Sequence, residues 1–206
     1  MSVIESLLNS GAIAIVRADN QNHAQLVANM ILDAGLTSIE ITMTTPGALE
    51  LVEMLAARTG VCVGVGTVLN PVDVQRAKSA GAQFIISPDT NPAVISATKD
   101  AGLLSIPGVA SSTDVSTALS FGADILKLFP ASTYGPSHLK ALRDPYPNKI
   151  WCPTGGLTLA TVPDWFAAGA SILGLGGPLV KGGIDAIEAN VSAFLAAIAV
   201  SKKAKS

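Results

Sequence analysis

Charge and aromatic rings are scarce in this chain. Of its 206 residues, 14% are Asp, Glu, Lys or Arg and 4% are aromatic, against 49% apolar. So apolar a chain does not stay disordered, and it has ample material for a large core. The formal net charge is -2, so no basic field exists to attract nucleic acid. The only basic cluster, Lys202, Lys203 and Lys205, reads as a solvated helix end. Cysteine is rare too: Cys62 and Cys152 each sit in an apolar run and read as buried thiols. With no Cys-x-x-Cys, nothing points to a disulfide framework or an oxidising compartment. His23 and His138 have no metal-ligand neighbour at useful spacing, and the acids are not clustered for magnesium. Metal-free chemistry is therefore expected. Met1-Ser2-Val3-Ile4-Glu5 lacks a basic segment leading into a long apolar one, and no apolar stretch reaches membrane-spanning length without polar breaks. The expectation is a cytoplasmic protein with no membrane partner.

What the chain does have is a repeat. Short apolar runs recur at 12–16, 38–43, 61–65, 84–86, 103–106, 125–129, 150–152 and 172–175. They lie roughly 20–27 residues apart, the length of a strand-helix unit. Between the first two, Ala24, Leu26, Val27, Met30, Ile31 and Ala34 fall at helical spacing, predicting a helix over 23–34. Ala-Gly precedes a strand at 34–35, 80–81, 101–102 and 168–169, with Phe121-Gly122 as a variant, and each pair reads as a helix C-cap. Strand runs without strict alternation indicate a parallel sheet covered by helices on both faces. Eight such units predict a single-domain (β/α)8 (TIM) barrel over residues 1–206. A doubly wound open sheet is the runner-up, but Gly64-Val65-Gly66 lacks the third glycine of a dinucleotide fingerprint.

In a barrel the chemistry sits at the C-terminal ends of the strands. The polar residues there are Arg17, Glu40, Thr44, Thr67, Pro88-Asp89, Lys127, Thr154-Gly155-Gly156 and Gly176-Gly177. Lys127 is flanked by Ile125, Leu126, Leu128 and Phe129. A buried ammonium is expensive unless paired, and desolvation favours the neutral amine, the form that attacks a carbonyl. The alternative is an ion pair with a carboxylate such as Glu40. Glu40 itself lies between Ile39 and Ile41. It is a candidate general acid/base, with a salt bridge to Arg17 or Lys127 as the other reading. Glycine pairs closing the last two strands suit a phosphate cradle of bare backbone N–H groups, although tight turns also demand glycine.

Several motifs occur in register over nearly the whole chain: Glu40-Ile41-Thr42, 64–71 (GVGTVLNP), Ile86-Ser87-Pro88, Ile106-Pro107-Gly108, 126–131 (LKLFPA) and 152–156 (CPTGG). Together they resemble the bacterial 2-keto-3-deoxy-6-phosphogluconate (KDPG) and 6-phosphogalactonate aldolases. The resemblance implies a homotrimeric, cofactor-free class I aldolase acting on a small keto-acid phosphate. Lys127 then matches the imine-forming lysine and Glu40 the proton shuttle. Thr67 and Thr154 match threonines that contact the keto acid, and Pro88 matches a proline lining the site. Gly155, Gly156, Gly176 and Gly177 match the phosphate cradle. Two positions depart from the gluconate pattern. Thr44 stands where an arginine grips the substrate carboxylate, and Gly177 where a serine is often found. The galactonate relatives instead carry an arginine after the first strand, and 14–17 (AIVR) matches it, so the clamp is expected at Arg17. Arg17 as a surface or salt-bridge residue is the alternative. Two other activities stay open: a 4-hydroxy-2-oxoglutarate aldolase, and a phosphate-ligand or isomerase barrel without imine chemistry.

Overall fold

The computed structural model describes residues 2–204. The parallel strands are β1 (Ala12–Val16), β2 (Ser38–Thr42), β3 (Cys62–Gly66), β4 (Phe84–Ile86), β5 (Leu104–Ile106), β6 (Gly108–Val109), β7 (Ile125–Leu128), β8 (Ile150–Trp151) and β9 (Leu173–Leu175). They form ladders β5-β4-β3-β2-β1-β9 and β6-β7-β8. A bridge between Thr154 and Gly174 joins β8 to β9. On the other side, Lys127 N–H donates to Pro107 O at 3.0 Å and Asp124 N–H to Ser105 O at 3.0 Å. The ring is thus closed, a (β/α)8 barrel. The fifth apolar run holds β5, and the strand resumes beyond it as β6 because Pro107, which has no N–H, interrupts the ladder.

Helices α2 (Gln21–Asp33), α3 (Ala48–Ala56), α4 (Pro71–Ser79), α5 (Pro92–Asp100), α6 (Ser112–Ser120), α7 (Ala131–Arg143) and α8 (Val162–Ala167) cover the outside. The short α9 (Gly177–Val180) and the long α10 (Ile187–Lys203) complete the layer. Local chemistry sets several starts. Asn20 Oδ1 accepts His23 N–H, Asn70 and Asn91 cap helices that begin with proline, and Ser111 with Asp114 forms a capping box. The glycines of the recurring Ala-Gly and Phe-Gly pairs all take the left-handed conformation, as C′ residues must.

Two features differ from the sequence expectation. Helix α1 (Val3–Ser10) precedes the first strand and was not anticipated. Its buried Leu7 joins Ile13, Cys62, Phe84, Ile106, Ile125, Cys152 and Ile172 in a cluster inside the barrel. α1 thus plugs the N-terminal end of the lumen. Second, the segment Ile184–Lys203 is long and apolar enough to cross a membrane, with mean hydropathy 1.5. In this fold it packs Ile187, Val191, Phe194 and Ile198 into the outer core. Lys202 is also no free helix-end charge, since its Nζ donates to Leu8 O. Lys205 lies outside the described residues.

Candidate active site

The even positions of β2, β3 and β4 and the odd ones of β1 and β7 face the lumen, and their sizes are matched. Gly64 is bare because the Phe84 ring fills its place: a Cβ there would lie 2.3 Å from Phe84 Cδ2. Gly66 is bare because Glu40 needs the room: a Cβ would lie 1.5 Å from Oε1. Gly174 makes way for Thr154, whose Oγ1 would be 2.1 Å from an added Cβ. Bare backbone thus clears space in the lumen for the carboxyl and the threonine hydroxyl.

The result is a pocket of about 590 Å³ at the C-terminal mouth. Arg17, Glu40, Thr67, Pro88, Lys127, Thr154, Gly155, Gly156, Gly176 and Gly177 all line it. Thr44, expected from its place in the motif, does not line it. It is exposed in the turn after β2, with its Oγ1 3.0 Å from Thr42 Oγ1. Asp89 also stays outside the lining.

Lys127 projects from β7 and is 6% exposed. Its Nζ lies 4.7 Å from the centroid of the Phe129 ring, a cation–π distance. Glu40 is 1% exposed, and its Oε2 has no hydrogen-bond partner among the described residues. The ion pairs among the described residues are Arg58–Asp33, Arg76–Asp73 and Lys99–Asp124. The direct Lys127–Glu40 pair allowed by the sequence is therefore not formed. Burial raises the Glu40 carboxyl above its ordinary range, against the opposing pull of the Lys127 and Arg17 charges. A carboxyl held this way takes up a proton more readily than an exposed one, which suits a general acid/base.

Arg17 leaves the end of β1 and reaches across the mouth, where Nη2 donates to Thr67 Oγ1 at 3.4 Å. Arg17 is exposed, as the surface reading had it, but it lines the pocket and forms no salt bridge among the described residues. Thr67 stands at φ 58, the left-handed region, where a β-branched residue is an outlier. The chain is pinned on either side of it. Met43 N–H donates to Gly66 O at 2.8 Å, Val68 N–H to Ile86 O at 3.2 Å, and Ser87 Oγ to Val68 O at 2.8 Å.

Gly155 and Gly156, both left-handed, follow β8, and Gly176 and Gly177 lead into α9. Because β9 pairs with β1, the start of α2 stands beside this second loop. A Cβ on Gly177 would meet nothing within 4 Å. Sequence reasoning missed Phe129, Asp19 and His23, which also line the pocket. Phe129 had a signal, since two residues on from Lys127 means the same face of a strand. His138 stays away from the pocket, donating from Nε2 to Ala110 O at 2.7 Å and stacking on Tyr134. The buried thiols are poor nucleophiles: burial pushes Cys62 up to about 11 and Cys152 up to about 12.

Comparison with known proteins gives the same picture. The chain is 34% identical over 177 residues, 84% of each chain, to the probable 2-dehydro-3-deoxy-6-phosphogalactonate aldolase of Rhizobium meliloti (strain 1021). It is 33% identical over 169 residues to the 2-dehydro-3-deoxy-phosphogluconate aldolase of Treponema pallidum (strain Nichols), covering 81% of this chain and 80% of that one. Among solved structures, KDPG aldolase from Legionella pneumophila, with pyruvate captured at low pH as a covalent carbinolamine intermediate, superposes with TM-score 0.79 at 26% identity. That match covers 95% of this chain and 96% of that one. The family model for KDPG and KHG aldolase matches residues 3–198, and the chain belongs to that family.

Proposed function

We propose that this protein is a class I aldolase that reversibly cleaves a 2-keto-3-deoxy-6-phospho-aldonate into pyruvate and D-glyceraldehyde 3-phosphate. The observation that carries the reading is a buried lysine with no ion-pair partner among the described residues, sharing one pocket with a buried carboxyl whose Oε2 has no hydrogen-bond partner there. In this reading Lys127 Nζ attacks the C2 carbonyl, and loss of water from the carbinolamine leaves a protonated imine. Glu40, as carboxylate, accepts the C4 hydroxyl proton. The C3–C4 bond breaks, its electron pair flows into the imine to give an enamine, and the aldehyde leaves. Glu40 then returns a proton to C3, and water releases pyruvate from the imine. Arg17 holds the substrate carboxylate beside Thr67, and Thr154 and Pro88 shape the pyruvyl end. The glycine loops at 155–156 and 176–177 take the phosphate, anchoring the far end so that the scissile bond is aligned. A homotrimer in the cytoplasm goes with this reading, and sedimentation would test the assembly.

The test is borohydride reduction in the presence of pyruvate, followed by peptide mapping. A pyruvate adduct on Lys127 is expected, and its absence overturns the proposal. A second reading, an aldolase for unphosphorylated 4-hydroxy-2-oxoglutarate, is favoured by Gly177, which offers no hydroxyl to a phosphate. Equal kcat/KM with and without the phosphate would establish it in place of the first.

A further inference from the structure

The turn after β2 lies outside the pocket lining, yet its buried Thr45 hydroxyl meets the turn after β1. Thr42, fully buried, has its Oγ1 3.0 Å from Thr44 Oγ1 and 3.2 Å from Thr45 Oγ1. Thr45 is buried as well, and its Oγ1 accepts the N–H of Ala18 at 3.3 Å. Ala18 directly follows Arg17 and, with Asp19 and His23, forms one wall of the pocket. The two turns meet at a second point. Gly47 stands at φ +69, and a Cβ there would lie 2.5 Å from Gln21 Cδ, so the Gln21 side chain rests on bare backbone. The 42–47 turn therefore seats the 17–21 segment twice, once by a hydrogen bond and once by close packing. At the far end of the same arginine, Thr67 Oγ1 accepts the guanidinium.

We infer that Thr45 is a positioning residue for substrate binding: it fixes the backbone beside Arg17, so that the guanidinium enters the mouth in one place. The inference rests on Arg17 being the carboxylate clamp of the proposed aldolase. Thr45 lies outside the pocket lining, so its effect passes through Arg17. An arginine on a loose loop samples many positions and binds weakly, because ordering its long side chain consumes much of the interaction. A seat on the neighbouring turn removes part of that loss before the substrate arrives. The turn after β2 thus contributes to binding through the arginine of the adjacent turn.

The experiment measures two quantities in borohydride trapping with pyruvate: the half-saturating concentration and the maximal rate. Thr45→Val keeps the volume and removes the acceptor. It should raise half-saturation about three- to ten-fold, the weight of one hydrogen bond, with the maximal rate unchanged. Thr45→Ser keeps the acceptor and should return half-saturation to within about two-fold of the parent. Gly47→Ala, which pushes Gln21 off its seat, should move half-saturation in the same direction as Thr45→Val. If Thr45→Val binds pyruvate as the parent does, or if the serine variant is as impaired as the valine variant, the inference is wrong while the aldolase reading stands. If the parent itself gives no adduct on Lys127, the aldolase reading fails first. Should the valine variant not fold, the serine and alanine variants decide: an unchanged half-saturation in Gly47→Ala overturns the inference.

Discussion

Thr67 offers a way to separate strain from contact. It holds φ 58 between two anchored neighbours, and its hydroxyl accepts the Arg17 guanidinium. A non-glycine residue in the left-handed region costs about 1–2 kcal/mol, and such strain persists where the surroundings over-determine the backbone. Consider Thr67→Ala and Thr67→Gly. Both remove the hydroxyl, so both should weaken pyruvate binding alike. Alanine keeps the backbone cost, whereas glycine sheds it but loses about 0.5–1 kcal/mol through its freer unfolded chain. The glycine variant should therefore be the more stable of the two by about 0.5–1 kcal/mol. In a chain of this size that is about 1–4 °C in melting temperature. Thermal unfolding followed by circular dichroism measures the difference, and borohydride trapping measures binding. A glycine variant that melts below the alanine variant would refute the strain account. Equal melting but unequal binding would show that the backbone, and not the lost hydroxyl, positions the arginine.

Other expectations follow from the same geometry. Glu40→Gln should lower turnover roughly 10²–10⁴-fold while leaving adduct formation on Lys127 detectable. Because burial raises the Glu40 carboxyl, its contribution to stability is complete below about pH 4.5 and is lost as pH rises through the higher folded value. Glu40→Gln should therefore melt above the parent at pH 8, with the gap closing toward pH 4.5. Arg17→Ala should raise the KM for the keto acid about 10–100-fold, the weight of a charged hydrogen bond. Gly177→Ser, placed where an added Cβ meets open space, should lower the KM for the 6-phosphate substrate several-fold and leave that for its unphosphorylated analogue unchanged. Steady-state kinetics on the paired substrates checks both.

The repeat of apolar runs and the recurring glycines made the barrel legible, because both are local signals repeated at a fixed interval. Lys127 and Glu40 stood out because a charge inside an apolar strand has few explanations. α1 was missed although Ser2 and Glu5 spell a capping box, since a short helix that plugs a barrel has no strand-helix rhythm to announce it. Thr44 was placed by its motif, and only the structure shows that it lies outside the pocket lining. Thr45, the neighbour that does matter to the fold of the mouth, carried no signal at all. Its role depends on an amide 27 positions earlier in the chain, a contact that neither spacing nor composition encodes. His23 and Asp19 escaped for the same reason, since the pairing of β1 with β9 brings them to the pocket wall.

The closed floor of the lumen has a consequence for isotopes. Leu7, Phe84 and Ile125 shut the end of the barrel opposite the mouth, and the Phe84 ring occupies the space beside Glu40 left by Gly64. The carboxyl can exchange hydrogen with solvent only along the route by which substrate enters. The hydrogen that Glu40 hands to C3 therefore arrives from the mouth side alone, and at the exchangeable C4 hydroxyl and carboxyl it carries the isotope of the solvent. Pyruvate formed from substrate in deuterium oxide should therefore take up deuterium in its methyl group, delivered to a single face of the enamine.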